Sequence, residues 1–371
     1  MSGPDRARAA AMQRIEAVEL LRAAAAVMVV FGHLKGAAWT HQDELGQFPK
    51  LPFFGGAGVD LFFGISGFII VHAGLRLINQ GYAVRTFLLR RMARIVPLYW
   101  GVTALLILAP AVAHRTWPSV SAVVMSLAFV PYDRSGTGEF YPLCDLGWTL
   151  NYEAQFYVLF AMAMLAAGRR CVPVTIAMLG LLVVAGATIP FKSDVLYFWT
   201  RPIILEFAGG MIVALLRGAD RLELGPVTRG ALIASAIAWY LADPLDLVAQ
   251  PVTPNDMARI VGWGVPGLLL LIAAVSGPFS PQSWFTQAAV LLGSSSFSLY
   301  LLHPFAIVAC RRLLLHLVPP AGTGGWILIV VGLLTATAGS VIAYLAIEKP
   351  LTMWLTAKLS VRAPTRKEPA Y

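Results

Sequence analysis

The feature that most limits what this chain can become is the recurrence of apolar runs about 20 residues long, the length at which an α-helix crosses the hydrocarbon core of a bilayer. Such runs occupy 18–38, 57–78, 96–114, 148–168, 171–190, 195–217, 228–242, 258–276, 294–313 and 325–347, the seventh being the shortest. The run 118–131 is too short to span and is expected to re-enter the membrane or to lie under its surface. Backbone polar groups in lipid must find partners within their own segment. The expectation is therefore all-α: a polytopic transmembrane helical bundle of about ten helices. Composition agrees, since 13% of the 371 residues are charged against roughly 25% in an ordinary soluble domain.

The formal net charge is +9. The basic residues fall in short clusters between apolar runs rather than in one patch, which argues for loop topology and against nucleic acid as a partner. The N-terminal tail, the 76–94 connection, Arg169 and Arg170, Arg217 and Arg221, and the segment from Lys349 to Lys367 share one side of a ten-span arrangement. By the positive-inside rule that side is cytoplasmic, and both termini lie there. Arg311 and Arg312 fall on the other side, in conflict with the rule. The organisation expected is a cytoplasmic tail over 1–17, a membrane domain over 18–350 and a basic cytoplasmic tail over 351–371. The basic N-terminus ahead of an apolar run resembles a signal peptide, but no small-residue cleavage site follows, so the run reads as a retained first helix. Cys144, Cys171 and Cys310 are far apart and odd in number, which supports neither a disulfide framework nor a zinc site.

Ionisable side chains inside apolar spans cost a few kcal/mol each on insertion scales, and so mark functional positions or buried pairs that fix packing. In the first run Arg22 and His33 are separated by 11 positions, which places them on one helical face about 16 Å apart along the axis. Histidine is the usual general base near neutral pH; the plainer alternative is a packed histidine and a snorkelling arginine. In the second run Asp60, Gly64 and Gly67 share a face, and the glycines admit a close neighbour. Packing accounts for the glycines but not for the carboxylate. Arg90, Arg91 and Arg94 precede the third run, where they serve either topology or phosphate recognition. In the fourth, Glu153 and Tyr157 share a face, while Trp148 and Tyr152 suit an interface. Arg201 and Glu206 in the sixth read as an internal ion pair. In the ninth, Ser296, Tyr300 and His303 form a polar stripe suited to a hydroxyl-rich substrate, a water path or helix–helix hydrogen bonds. His41, His72, His114 and His316 lie near run ends or loops. There is no H-E-x-x-H, Walker, dinucleotide or G-x-S-x-G pattern, which removes most metal, nucleotide-hydrolysing and serine-hydrolase readings.

Together these segments resemble membrane acyltransferase family 3. The Arg22–His33 spacing matches that family's first helix, and residues 58–68 (GVDLFFGISGF) its second. Residues 90–100 (RRMARIVPLYW) match its basic stretch before a Pro–aromatic pair. W-T-L-N-Y-E-A-Q-F-Y at 148–157, S-F-S-L-Y-L-L-H-P at 296–304 and the closing Glu348-Lys349-Pro350 follow in family order. The details look most like the branch that acts on bacterial exopolysaccharides. Glu19 stands where the family often has Asp, and the extra hydrolase-like domain of some members is missing. The resemblance implies transfer of an acyl group, usually acetyl, from cytoplasmic acyl-CoA to a hydroxyl presented at or beyond the membrane.

On that basis Arg22, Arg91 and Arg94 are expected to hold the phosphates of acyl-CoA, which serves as donor substrate with no permanently bound cofactor and no metal. His33 is expected to deprotonate the acceptor hydroxyl, or to carry the acyl group itself. Glu153 or Asp60 would orient the histidine or the sugar. Trp148, Tyr157, Ser296, Tyr300 and His303 are the expected acceptor contacts. The expected partners are acyl-CoA, a carbohydrate, the lipid bilayer and polysaccharide-assembly proteins, with the bacterial cytoplasmic membrane as location. Alternatives are a lipid-linked sugar, glycolipid or small secondary metabolite as acceptor. A transporter or flippase would show repeated halves with broken helices, and a membrane scaffold would not explain the ordered motifs.

Overall fold

The computed structural model describes residues 3–49, 55–79, 84–112, 117–219, 221–248, 257–277, 283–317 and 323–359, with backbone alone for 3–15 and 109–112. His114, the stretch 249–256 and the tail from 360, including Lys367, lie outside the described residues. Every regular element among the described residues is helical. In chain order these are α1 (Gly3–Thr40), α2 (Gln42–Leu45), α3 (Gly55–Asn79), α4 (Val84–Val112), α5 (Val120–Leu127), α6 (Trp148–Ala167), α7 (Cys171–Thr188) and α8 (Asp194–Trp199). There follow α9 (Leu205–Gly218), α10 (Pro226–Ala242), α11 (Met257–Arg259), α12 (Val265–Val275), α13 (Trp284–Ser294), α14 (Ser296–Leu317), α15 (Gly324–Ala343) and α16 (Lys349–Leu359). Two π-helical turns, Ile260–Gly264 and Tyr344–Glu348, join α11 to α12 and α15 to α16.

Among the described residues, seven segments are long and apolar enough to cross a membrane. Six of the expected runs each fall on one of them, and the runs 148–168 and 171–190 share the segment Asp145–Thr188, folded as α6 and α7 about the turn Gly168–Arg170. The other two runs differ from a simple span. The run 195–217 is broken: Pro202 holds the preceding Arg201 in an extended conformation (ψ 146°), which ends α8 before a 3-10 turn opens α9. The run 228–242 is the 17-residue α10. Helix α13 was not expected; Ser295 separates it from α14.

The short helix α5 is capped by Ser119, whose hydroxyl accepts the Ala122 N–H. Its far end hangs on the middle of α4, where Tyr99 donates to the Ser126 carbonyl at 3.1 Å and Trp100 to the Leu127 carbonyl at 3.0 Å. Helix α4 is 29 residues long, so Tyr99 lies about 22 Å along its axis. The segment therefore docks against the middle of α4, and the eight residues of α5 are too few to cross a bilayer.

The core centres on α3, which packs against α1, α9 and α12. Its glycines work as expected from their shared face. A Cβ on Gly67 would overlap the Phe207 carbonyl of α9, and one on Gly210 would overlap the Gly64 carbonyl. Backbone thus meets backbone at the α3–α9 crossing, the arrangement that small residues permit in lipid. Gly210→Val is expected to lower stability by about 1–3 kcal/mol through overpacking, seen as an earlier thermal midpoint of the detergent-purified protein. An unchanged midpoint would mean that the two helices part easily.

Arg311 of α14 donates to Glu44 at 2.8 Å and approaches His41 Nδ1 at 3.3 Å. Its charge is offset locally by Glu44 of α2, so Arg311 is not the free loop cation that the topology rule counts.

Candidate active site

A cavity of about 770 Å³, counted with its open mouth, lies between α1, α3, α4, α6 and α14. Three guanidiniums line it: Arg22 from α1, and Arg91 and Arg94 from α4. Arg91 and Arg94 are three positions apart and so project from one face of their helix. Arg22 is 7% exposed and is bonded to Glu19, one turn back, at 3.0 Å. The Arg91 guanidinium sits 5.7 Å from the Tyr157 ring and 5.8 Å from that of Phe87.

One carboxylate faces these cations across the cavity, that of Glu153. It accepts the Tyr157 hydroxyl from the next turn of α6, as their shared face requires, and the Ser66 hydroxyl of α3 at 3.5 Å. Arg22 is already paired with Glu19, whereas Arg91 and Arg94 project into the chamber as donors of the kind that suit a phosphate oxygen. Ser296 and Tyr300 of α14 complete the wall. Ser296 is buried with no hydrogen-bond partner. Tyr300 is fully engaged: its hydroxyl donates to the Leu146 carbonyl at 3.0 Å and meets the Thr149 hydroxyl at 2.9 Å.

His33 does not line this cavity. It lies beyond Tyr300, whose ring is 6.4 Å from those of both Phe62 and His303. The rings of His33 and His303 touch, with centroids 4.8 Å apart. His33 is exposed and His303 is buried. The His33 Nδ1 is 2.9 Å from the Val29 carbonyl. Because a carbonyl only accepts, Nδ1 carries the hydrogen and Nε2 is left as a basic lone pair.

The remaining expected residues sit elsewhere. Asp60 forms a bidentate pair with Arg259 at 2.9 and 2.7 Å, buried between α3 and α11. Trp148 flanks this pair, its ring 5.7 Å from the Arg259 guanidinium, with Trp263 on another side at 5.2 Å. Glu206 adjoins the same pair and is 1% exposed. It is not joined to Arg201, which instead donates to the Gly186 carbonyl at 3.2 Å and stacks on Tyr197.

Sequence reasoning passed over Arg259, although an arginine at the head of the apolar run 258–276 is the very signal that picked out Arg22. It also passed over the link between Ser298 and Glu348, which are 2.5 Å apart and join α14 to the second π-helical turn. Both π turns adjoin a buried charge, in keeping with the tendency of such bulges to occur at functional positions.

Among the described residues, seven segments long and apolar enough to cross a membrane, with buried charges and an arginine-lined cavity between them, define a polytopic membrane protein with an internal polar site. The acyltransferase domain matches residues 15–345, and the chain belongs to the acyltransferase 3 family. It is similar to the exopolysaccharide production protein ExoZ of Rhizobium meliloti (strain 1021), with 33% identity over 309 residues, covering 80% of this chain and 89% of that protein. No solved structure matches it significantly.

Proposed function

We propose that this protein moves an acyl group, acetyl foremost, from cytoplasmic acyl-CoA to a hydroxyl of a cell-surface or exported carbohydrate. In this reading it spans the bacterial cytoplasmic membrane with about ten helices, both termini inside. The observation that carries the proposal is the order of groups across the bundle. The three cavity arginines come first, then Tyr300, then the histidine pair. A donor whose phosphates rest on Arg22, Arg91 and Arg94 points its thioester along α1 toward His33.

The acceptor hydroxyl gives its proton to His33 Nε2 and the oxygen attacks the thioester carbonyl. As the C–S bond breaks, the departing thiolate recovers the proton from His33. Glu153, held by Tyr157 and Ser66, is a hydrogen-bond acceptor for the donor's amide groups or for sugar hydroxyls. Ser296 is an open polar contact on the same wall. The carbohydrate acceptor is supported by the name of the ExoZ relative, and polysaccharide-assembly proteins are the natural neighbours of such an enzyme.

The test is transfer itself. Membranes containing the full chain are incubated with labelled acetyl-CoA and the carbohydrate fraction of the host, beside membranes without it. Base-labile label on carbohydrate only where the chain is present is the expected result. Label on lipid or a small metabolite instead would replace the acceptor, and no label from any acyl-CoA would remove the proposal. Charge-assisted hydrogen bonds are worth about 1.5–3 kcal/mol each. Arg91→Ala and Arg94→Ala are therefore each expected to raise KM for acyl-CoA about tenfold to a hundredfold, with a smaller change in kcat. Unchanged KM values would show that the phosphates bind elsewhere.

A further inference from the structure

Helices α3 and α9 meet backbone to backbone at Gly67–Phe207 and Gly64–Gly210. One turn further along each helix, a groove of about 1140 Å³, counted with its open mouth, separates them. From α3 come Val71, Leu75 and Arg76; α9 contributes Leu215 and the small residues Ala214 and Gly218. Positions 71 and 75, and 214 and 218, are four apart and so lie on one face of their helix. The small residues leave the room: a Cβ on Gly218 would meet nothing within 4 Å. The flank of α9 beside the groove turns apolar side chains outward, with Ile212 45% and Leu216 37% exposed, as on a surface that meets lipid.

The groove changes character along its length. Arg76 stands in the last turn of α3, near the end of the apolar span Gly55–Ile78. Val71 lies about 7 Å deeper along the axis. Arg76 is exposed and makes no ion pair among the described residues, whereas Arg217 of α9 is tied to Glu223 at 3.6 Å. The end of α3 carries a partial negative charge of about half a unit, so Arg76 still leaves net positive charge there. A hydrocarbon surface that ends in an unpaired guanidinium at the membrane boundary has the polarity of a lipid, with chain inward and anionic head outward.

We propose that this groove binds an anionic phospholipid, with one acyl chain on Val71, Leu75 and Leu215 and its phosphate on Arg76. A guanidinium meets phosphate through two parallel N–H donors. In the proposed orientation the lipid belongs to the cytoplasmic leaflet, whose surface is negative, and basic pockets between helices on that side suit such headgroups. The same helix carries Phe62, Ser66 and Ile69 of the candidate active site, so a lipid seated between α3 and α9 braces one wall of that site from outside.

The test uses the full chain in detergent, titrated with phosphatidylglycerol or with phosphatidylcholine of the same acyl chains, bound lipid being counted by native mass spectrometry. Phosphatidylglycerol is expected to fill one site at least about tenfold more tightly than phosphatidylcholine. Arg76→Gln is expected to weaken phosphatidylglycerol about tenfold to a hundredfold and to leave phosphatidylcholine unchanged. Gly218→Leu keeps the arginine but fills the groove, and is expected to abolish the tight site. Both positions are exposed, where substitution ordinarily changes stability little. Equal binding of the two lipids, native affinity in Arg76→Gln, or native affinity in Gly218→Leu each overturns the proposal. Competition by glycerol phosphate, a head without chains, would make this a free-phosphate site and overturn it too. Binding is read without acyl transfer, so a protein that binds the lipid but transfers nothing would sink the acyl-transfer reading alone.

Discussion

His33→Ala is expected to lower kcat for acyl transfer by about 10²- to 10⁴-fold, the usual contribution of a positioned general base. KM for acyl-CoA should hardly change, because His33 does not line the cavity that carries the three arginines. Replacement of a cavity arginine should give the opposite pattern, so the two sets of variants separate chemistry from donor binding. Folding does not confuse the comparison. His33 is exposed, and exposed substitutions ordinarily change stability by no more than about 0.5 kcal/mol. Equal yields of native and variant protein in the membrane are therefore expected. Transfer by His33→Ala at the native rate would remove His33 from the chemistry and turn attention to Glu153, which lines the donor cavity, and to His303 beside it.

Much of this site was legible in the sequence because helical spacing assigns faces. Glu153 and Tyr157, four apart, are hydrogen-bonded. Ser296 and Tyr300 line the cavity together, and His303 lies just past it on the same stripe. Arg22 and His33 mark two levels of one helix, the first inside the cavity and the second beyond Tyr300. Spacing does not name the neighbour across the bundle. Asp60 and Arg259 are 199 residues apart, and Ser298 and Glu348 are 50 apart; nothing local to either partner announces the other. The contact between His33 and His303 is of the same kind. The break in the run 195–217 was readable in principle from Pro202, which a count of apolar residues ignores. Helix α13 escaped notice for a related reason: Thr286 and Gln287 interrupt its apolar pattern, and its ending at Ser295 follows from backbone geometry rather than hydropathy.

Arg259→Met is expected to destabilise the protein by about 5 kcal/mol and Asp60→Asn by about 3 kcal/mol, the range found when one partner of a buried ion pair is removed. The two differ because of Glu206. Without Arg259, the buried Asp60 carboxylate loses both of its hydrogen bonds and is left uncompensated beside Glu206. Without the Asp60 charge, Glu206 remains beside Arg259 and supplies the counter-charge. An apolar pair, Asp60→Leu with Arg259→Met, removes both charges and should recover much of the loss, since a well-packed apolar replacement is often neutral. Recovery will be incomplete because Glu206 keeps a buried carboxyl group without a hydrogen-bond partner, and adding Glu206→Leu should restore more. Thermal midpoints of the detergent-purified variants decide the matter, with the double-variant cycle giving the coupling. Single variants as stable as the native protein would mean that the pair is dispensable for packing. That outcome would turn attention to chemistry, because Asp60 stands on the same helix as Phe62 and Ser66, both in the cavity wall. If the pair is structural, the activity of each variant should follow its folded fraction, and the fraction that remains folded should transfer acyl groups at the native rate.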